Sequence, residues 1–187
     1  MSKRLFDLFA VILSLPIALP LAGLVAIAIF VADGRPVLYW SHRVGRDNRL
    51  FAMPKFRTMR RDTPAVATHL LVDPAAALIP LGRVMRATSL DEIPQLFSVI
   101  RGDMTLVGPR PALYNQDDLV ELRTRHDIHR LVPGVTGWAQ VNGRDNLSIP
   151  EKVAMEREYL ARRGFLFDLK IIYLTIVKVF IKEGVHH

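Results

Sequence analysis

The chain contains no cysteine, and this absence excludes a disulfide framework, a catalytic thiolate and a zinc site with cysteine ligands. It also lacks a Walker phosphate-binding loop, a G-x-G-x-x-G fingerprint and an H-E-x-x-H helix. Nucleotide hydrolysis at a Walker site, a Rossmann cofactor and zincin chemistry therefore lose support. No internal repeat is present either. The carboxylates and basic side chains of the chain are therefore the candidates for a catalytic site.

The composition indicates one domain that carries a membrane segment. The 187 residues are enough for a single domain with a sizeable core. Half of them are hydrophobic and the mean hydropathy is positive, which is high for a soluble domain. The net charge of +7 is compatible with nucleic acid, anionic lipid or phosphorylated substrates as partners.

An uncharged and mostly aliphatic stretch covers residues 8–32. Since a membrane-spanning helix needs roughly 20 apolar residues, this stretch is long enough to cross a bilayer. Pro16 and Pro20 lie one turn apart and lack the N–H groups that would bond to the carbonyls of Ile12 and Pro16. We therefore expect a sharp kink at these prolines.

Positive charges flank both ends of this stretch. Basic residues beside a membrane segment tend to stay cytoplasmic, so a hairpin that returns to its own side satisfies both flanks and a spanning helix violates one. We predict a re-entrant helix-break-helix in residues 1–34, with the break at Pro20, and a cytoplasmic domain packed on the membrane face in residues 35–185. Asp7 either pairs with Lys3 or Arg4 along the helix or is a solvated interface residue. The flanking basic residues are Lys3, Arg4, Arg35, Arg43 and Arg46.

Two short apolar segments, residues 37–40 and 50–53, flank the polar turn RVGRDNR and predict a β-hairpin. Asn48 in this turn tolerates the left-handed backbone conformation. The segment KFRTM follows, and an extended backbone would place Lys55 and Arg57 on the same side. These two residues either form a solvated basic strand edge or bind an anionic group.

Two adjacent carboxylates, Asp91 and Glu92, precede an amphipathic segment that Gly102 ends. A helix that starts here has two possible caps. Ser89 would form a capping box with Glu92, whereas a cap at Asp91 would place Pro94 in the first turn, where its missing N–H is not needed. Either cap leaves the pair at the positive end of a helix, which favours the ionised carboxylates. The pair either only caps this helix, or it attacks phosphorus or holds a divalent cation.

Several arginines surround the acidic pair in the sequence. Arg86 precedes it by five residues, Arg101 closes the predicted helix, and Arg110 lies in a stiff turn between two prolines. A short helix over residues 81–87 would place Arg83 and Arg86 on one face. Planar guanidinium groups suit bidentate phosphate binding. This combination predicts a site for a phosphorylated substrate and a metal ion.

Two further helices are predicted near the C-terminus. Residues 115–131 are typical of a charged, mostly solvated helix, and its His126 and His129 have no obvious third ligand, so we do not expect zinc. Residues 168–182 predict an amphipathic helix that either packs on the core or lies in a bilayer interface, and its lysines favour the interface.

A glycine-rich segment, residues 133–145, lies between these helices. Its glycines allow the backbone to approach a ligand closely. Trp138 and Gln140 would then shape a sugar or base pocket, and Arg144 would clamp a phosphate. The alternative is a turn-strand-turn that supports the core.

The chain carries, in this order, the segments KFRTM, SLDEIPQLF, GDMTLVGPRP and PGVTGWAQVNGR. With these segments it resembles the bacterial sugar transferases, also called monotopic polyprenyl-phosphate phosphoglycosyl transferases, and in particular their small type, which has only the catalytic domain. The resemblance extends from about Lys3 to the C-terminal helix. It implies a helix-rich α+β fold with a re-entrant membrane segment, a small β-hairpin and amphipathic interfacial helices. Members break this segment at a Ser-Pro pair; here Pro20 matches, but Leu19 replaces the serine, whose hydroxyl could satisfy a freed carbonyl.

The resemblance also implies a reaction. A UDP-sugar gives its sugar-1-phosphate to undecaprenyl phosphate and releases UMP. Asp91 is then the nucleophile that forms a covalent phosphosugar intermediate, and Glu92 assists it. Mg²⁺ near Asp91 and basic side chains screen the pyrophosphate. The expected substrate-binding residues are Lys55, Arg57, Arg86, Arg110 and Arg144.

The expected partners follow from this reaction. They are a UDP-sugar, undecaprenyl phosphate and lipids of the inner leaflet, at the cytoplasmic face of a bacterial inner membrane. We expect no nucleic acid partner, and the sequence leaves open whether the chain forms a homo-oligomer. The alternative is a non-enzymatic basic protein that binds anionic lipid at the membrane surface, in which Asp91 and Glu92 only cap a helix.

Overall fold

The computed structural model describes residues 3–64, 73, 75–143 and 146–181. Within this part the fold is α+β and rich in helix, which confirms the predicted class. Short 3₁₀ turns lie at Arg46–Asn48, Leu90–Glu92 and Ile128–Arg130. The helices are α1 (Lys3–Asp33), α2 (Gly82–Ala87), α3 (Gln95–Arg101), α4 (Asp117–Arg125), α5 (Trp138–Val141), α6 (Ile149–Arg162) and α7 (Phe165–Ile181).

The strands of the described residues form two small sheets. A three-stranded antiparallel sheet has the order β2-β1-β4, and β3 pairs in parallel with β5. The predicted hairpin is confirmed as β1 and β2, both longer than expected, and the turn between them holds Asn48 in the left-handed region at φ 58°. The strands are β1 (Leu38–Val44), β2 (Leu50–Phe56), β3 (Thr105–Val107), β4 (Ala112–Leu113) and β5 (Gly134–Thr136).

Helix α1 continues through both of its prolines. The predicted break at Pro20 is therefore not confirmed. Proline φ fits a helix, so Pro16 and Pro20 remove two hydrogen bonds from α1 while the turns on either side keep theirs. By length and composition α1 is long enough and apolar enough to cross a membrane.

Both ends of α1 pack against the same globular body. Val11 is buried near one end, and Val25 and Ile29 are buried near the other. Val11 and Ile29 are separated by about 27 Å along the helix axis at 1.5 Å per residue. The side chains buried around Val11 are Met53, Val99 and Met104, and those around Val25 and Ile29 are Phe56, Ile79 and Met85.

Polar contacts fasten the beginning of α1. Asp7 is buried and accepts hydrogen bonds from the Thr105 hydroxyl at 2.6 Å and from the Leu106 backbone N–H at 3.3 Å. The two expectations for Asp7, an ion pair within the helix and a solvated position, are therefore both wrong. Lys3 instead forms an ion pair with Asp168 on α7. These partners lie about a hundred residues or more away in the chain, beyond the reach of helix spacing.

Helices α6 and α7 enclose the C-terminal core. Helix α6 begins with a capping box, in which Ser148 and Glu151 bond reciprocally. Helix α7 starts three residues earlier than predicted, and residue 182 lies outside the described part. Phe167 and Ile171 of α7 are buried. Its other apolar face is exposed at Phe165, Leu166, Leu169, Tyr173 and Ile176.

Candidate active site

The acidic pair lies in a 3₁₀ turn before helix α3, so the helix starts later than predicted. Ser89 adopts the left-handed conformation at φ 56°, whereas an N-cap residue is typically extended, and its side chain makes no capping bond. Both caps considered for this helix, Ser89 and Asp91, are therefore wrong, since Pro94 is the N-cap of α3. Helix α3 covers Gln95–Arg101, and Gly102 ends it as predicted, as a C-cap with φ 95°. The charges of Asp91 and Glu92 depend on neighbouring side chains rather than on a first helical turn.

Lys55 and Arg110 bind Glu92 from two sides. Lys55 is the penultimate residue of β2, and its Nζ lies 2.9 Å from Glu92 Oε1. Arg110 Nη2 lies 2.9 Å from the same oxygen. Lys55 Nζ is also 3.9 Å from Asp91 Oδ2, which is an ion-pair distance but too long for a hydrogen bond. Glu92 thus holds the two cations in place, and Asp91 stands beside them.

Arg86 supplies a third cation from the last turn of α2. Its Nε donates to the Thr58 hydroxyl at 3.2 Å, just after β2 ends. Its charge lowers the pKa of Asp91. The structure therefore brings three of the predicted substrate-binding residues, Lys55, Arg86 and Arg110, to the acidic pair.

The two carboxyl groups are shifted in opposite directions. Burial raises the pKa of Asp91 and the charge of Glu92 adds to the effect, although Lys55 and the two arginines oppose it. Burial also opposes ionisation of Glu92, but Arg110 and Lys55 outweigh it and hold the pKa of Glu92 well below its usual range. Neighbouring acids whose environments separate their pKa values are typical of active sites.

Arg57 is not brought to the acidic pair. Its guanidinium group forms an ion pair with Asp33 and donates to the backbone carbonyls of Pro36 and Gly34. Strand β2 ends at Phe56, so the alternation that predicts Lys55 and Arg57 on one side does not extend to Arg57. Arg57 instead fastens the C-terminal end of α1 to the hairpin.

The glycine-rich segment supports the core. Trp138 Nε1 donates to Glu158 at 2.8 Å, and its ring packs on Phe167 with a centroid distance of 5.0 Å. Gln140 donates to the Val135 carbonyl at 3.0 Å. Both side chains therefore agree with the interpretation in which this segment supports the core.

Two other arginines of the sequence analysis lie apart from these contacts. Arg101 pairs with Asp103 at 3.2 Å on an exposed surface. Arg144 lies outside the described residues, and its predicted phosphate contact stays a prediction.

Arg43 is a site residue that the sequence analysis does not single out. Its Nη1 donates to the Pro111 carbonyl at 3.2 Å, next to Arg110, and its charge interacts with Arg110 and Glu92. The pairing of β1 with β4, which places Arg43 opposite Leu113, brings it here. Sequence periodicity carries no signal for this two-residue strand.

A buried ion pair between two helices fixes the backbone at Arg110. Arg123 of α4 donates to Glu156 of α6, with Nε 2.7 Å from Oε2, and both side chains are at most 9% exposed. Arg123 Nη2 also donates to the backbone carbonyl of Arg110 at 2.9 Å. The backbone that carries Arg110 is thereby fixed by charged groups of two helices.

The donor set fits Mg²⁺ only together with a substrate. Within the described residues no group of three or more His, Cys, Asp and Glu side chains is placed to hold a metal ion. Mg²⁺ is commonly bound by one or two carboxylates and substrate phosphates rather than by an all-protein cage. Asp91 provides such a carboxylate, since Glu92 is engaged by Lys55 and Arg110.

Comparison with known proteins places this geometry in a family. The chain is 38% identical over 185 residues to the uncharacterized sugar transferase EpsL of Bacillus subtilis, covering 98% of this chain and 89% of that protein. It is 33% identical over 193 residues to the UDP-glucose:undecaprenyl-phosphate glucose-1-phosphate transferase of Escherichia coli, covering 98% and 41%. It is 35% identical over 200 residues to the undecaprenyl-phosphate galactose phosphotransferase of Salmonella typhimurium, also covering 98% and 41%.

The chain thus spans most of EpsL but less than half of the other two proteins. Residues 1–182 also match the family described as bacterial sugar transferase. The match includes α1, the acidic pair and the cations around it. The chain belongs to the bacterial sugar transferase family.

Proposed function

We propose that the protein moves sugar-1-phosphate from a UDP-sugar to undecaprenyl phosphate through a covalent intermediate on Asp91, with release of UMP. The main support is the acidic pair, where Asp91 lies next to a carboxylate that already binds Lys55 and Arg110. The names of the Escherichia coli and Salmonella relatives support undecaprenyl phosphate as the acceptor. Their different sugars leave the sugar of this chain open.

The cations suit a pyrophosphate. Lys55, Arg86 and Arg110, with Arg43 behind them, outnumber the two carboxylates. The Asp91 carboxylate must approach a phosphorus atom that is surrounded by negatively charged oxygens. These cations reduce the repulsion between the carboxylate and the phosphate oxygens. Arg110 has the most exposed side chain of the pair's direct partners, at 34%, so it is accessible from solvent.

The first step exchanges one P–O bond for another. A carboxylate oxygen of Asp91 attacks the phosphorus that carries the sugar, and the bond to the second phosphate breaks with its electron pair leaving on UMP. In the second step a phosphate oxygen of undecaprenyl phosphate attacks the same phosphorus and releases Asp91 as a carboxylate. Lys55 and Arg110, held by Glu92, screen the phosphate oxygens in both steps.

A Mg²⁺ ion would be held by Asp91 and the substrate phosphates. When bound, it neutralises charge on the pyrophosphate and so favours attack by an anion. Glu92 keeps the basic side chains in position whether or not the metal is bound.

The position of α1 supports a location on one membrane face. A helix that crosses the roughly 30 Å hydrocarbon core touches a body on one side of the membrane with only one of its ends. Val11 and Ile29, by contrast, both contact the same body. With basic residues at both flanks, this supports a segment that enters and leaves the cytoplasmic face of the inner membrane, in contact with inner-leaflet lipids.

The test is release of UMP from a panel of UDP-sugars by the purified full-length protein with undecaprenyl phosphate and Mg²⁺. We expect release with at least one UDP-sugar and a phosphosugar adduct on Asp91 in mass spectra taken without acceptor. Asp91→Asn should lose both signals. Asp127→Asn is the matched control, because the Asp127 side chain is exposed and its ion pair is with Arg130 rather than with a residue around the acidic pair. Full activity of Asp91→Asn would contradict the covalent mechanism. Absence of UMP release by the unmodified protein with every UDP-sugar would favour a lipid-binding protein without catalysis.

A further inference from the structure

A cavity lies along strand β1, and neither residue of the acidic pair lines it. Its volume is about 190 Å³, more than ten times the roughly 10–15 Å³ that one water molecule needs. It can therefore hold a ring-sized group. The cavity is lined by Tyr39, Ser41, His42, Leu50, Leu113 and Tyr114.

The lining favours a planar ring. The side chains of Tyr39 and Tyr114 are nearly half exposed, so their ring faces are accessible. The rings of His42 and Tyr114 stand edge to face, with centroids 6.4 Å apart, which fixes the orientation of Tyr114. Aromatic faces bind nucleobases by stacking, since every base has a π-face.

Arg43 connects the wall of this cavity to the backbone beside Arg110, one of the residues proposed to bind phosphate. Its Nε donates to the Ser41 hydroxyl in the cavity wall at 2.9 Å, and its Nη1 donates to the Pro111 carbonyl beside Arg110. Within the described part of the chain these bonds use two of its five N–H groups, which leaves three donors for a ligand.

Charge makes an anion a suitable ligand for Arg43. Burial lowers the pKa of Arg43 to about 10, and the charge of Arg110 contributes in the same direction, so the group stays cationic at neutral pH. The two cations Arg43 and Arg110 interact with each other near Glu92, and a phosphate that binds there reduces their mutual repulsion.

We propose that this cavity binds the uracil ring of the UDP-sugar and that Arg43 binds the phosphate attached to the uridine. The inference rests on the proposed function and names the part of the donor that this face recognises. The sugar fits the cavity less well, because its hydroxyl groups need many polar partners and Ser41 in the wall is almost fully buried. A polyprenyl chain has no planar ring to stack on Tyr39 or Tyr114.

The first test measures binding of UMP and of uridine to the full-length protein by calorimetry, which does not depend on turnover. Tyr39→Ala and Tyr114→Ala should each weaken both ligands by about 5- to 100-fold, the range expected for one lost stacking contact. Tyr114→Phe should bind like the unmodified protein, because it keeps the ring. Trp40→Ala is the matched control, since Trp40 is as exposed as Tyr39 but does not line the cavity.

The second test separates the phosphate from the base. Arg43→Gln should weaken UMP by at least about 10-fold and leave uridine within about 2-fold, because uridine carries no phosphate for Arg43 to bind. In turnover assays the tyrosine variants should raise KM for the UDP-sugar and leave KM for undecaprenyl phosphate unchanged. Melting temperatures verify that each variant is folded.

Three outcomes would overturn the inference: unchanged UMP binding in the tyrosine variants, equal losses in Tyr114→Ala and Trp40→Ala, or a rise in KM for undecaprenyl phosphate alone. The last outcome would assign the cavity to the lipid acceptor. Failure of the proposed function is distinguishable, because UMP release by the unmodified protein would then be absent whatever the binding data show.

Discussion

The Nζ atom of Lys55 lies 2.9 Å from Glu92 Oε1, closer than it lies to Asp91. One carboxylate of the pair is thus neutralised by contact, and the other is left for chemistry. The pKa of Glu92 is lowered and the pKa of Asp91 is raised, which agrees with these two different roles. The first three predictions test this division.

Glu92→Gln should destabilise the protein. The substitution removes the anion shared by Lys55 and Arg110 and leaves the largely buried Lys55 without its closest ion pair, a loss of up to about 3–5 kcal/mol for a broken buried pair. The Arg110 pair is partly exposed and adds less. Urea unfolding in a fixed detergent measures the free energy of unfolding. Glu121→Gln is the control, because its ion pair with Arg125 is two-thirds exposed and contributes little. Equal stability of the two variants would contradict the role assigned to Glu92.

Asp91→Asn should abolish transfer and leave the protein at least as stable as before. The pKa of Asp91 is raised by burial, so its ionised form opposes folding at neutral pH, and an amide of the same shape removes that cost. Loss of a nucleophile lowers kcat by at least about 1,000-fold. Activity and melting temperature are measured on one preparation. A residue that only caps a helix predicts the opposite, namely retained activity and a loss of about 1 kcal/mol.

The pH dependence should differ in sign for the two carboxyl groups. A group whose pKa is lowered in the folded state stabilises it above its ordinary pKa, so the stability difference between the unmodified protein and Glu92→Gln should shrink as the pH falls below 4.5. For Asp91 the ordinary pKa is 3.8 and the pKa in the folded protein is higher, so its charge destabilises the fold increasingly as the pH rises from 3.8 to the folded pKa.

Transfer requires the ionised form of Asp91, and the acid limb of kcat/KM should have its midpoint above 3.8. A midpoint at or below 3.8 would contradict the burial of the nucleophile.

Arg123 should act as a positioning residue for Arg110. Arg123→Lys keeps the charge opposite Glu156 but cannot reproduce both hydrogen bonds to it and the bond to the Arg110 carbonyl. We expect KM for the UDP-sugar to rise by about 10-fold, with a smaller change in KM for the acceptor. A purely structural role would lower stability without this difference between substrates. A double-mutant cycle with Arg110→Lys measures the coupling directly.

Local patterns predict the elements of this fold better than they predict its partners. The hairpin, the left-handed Asn48 and the end of α3 at Gly102 follow from turn and cap chemistry within a few residues. The capping box of α6 was also readable, in the residues SIPE, yet the sequence analysis assigns no helix there. Asp7 and Thr105, in contrast, are 98 residues apart, and their contact depends on how α1 packs.

The acidic pair shows the same limit. Its sequence predicts two carboxylates beside arginines, and the structure places Lys55, Arg86 and Arg110 there. Only the packing distinguishes Glu92, which binds the cations, from Asp91. Arg57 is assigned incorrectly because the end of a strand is harder to predict than its existence.

Labelling of single cysteines tests the membrane geometry of α1, and the absence of native cysteine makes every introduced thiol unique. Ser2→Cys and Arg35→Cys mark the two flanks, and Glu121→Cys marks the globular body, where that side chain is 66% exposed. Because Val11 and Ile29 contact the same body, we expect a membrane-impermeant maleimide to label all three in inside-out vesicles and none in intact spheroplasts. A helix that crosses the bilayer would place residue 2 on the periplasmic side, since the body follows α1 in the chain. Labelling of Ser2→Cys in spheroplasts, with Arg35→Cys protected, would therefore exclude a re-entrant segment. In that case the N-terminal part of α1 would cross the membrane, and Val11 could not contact the globular body.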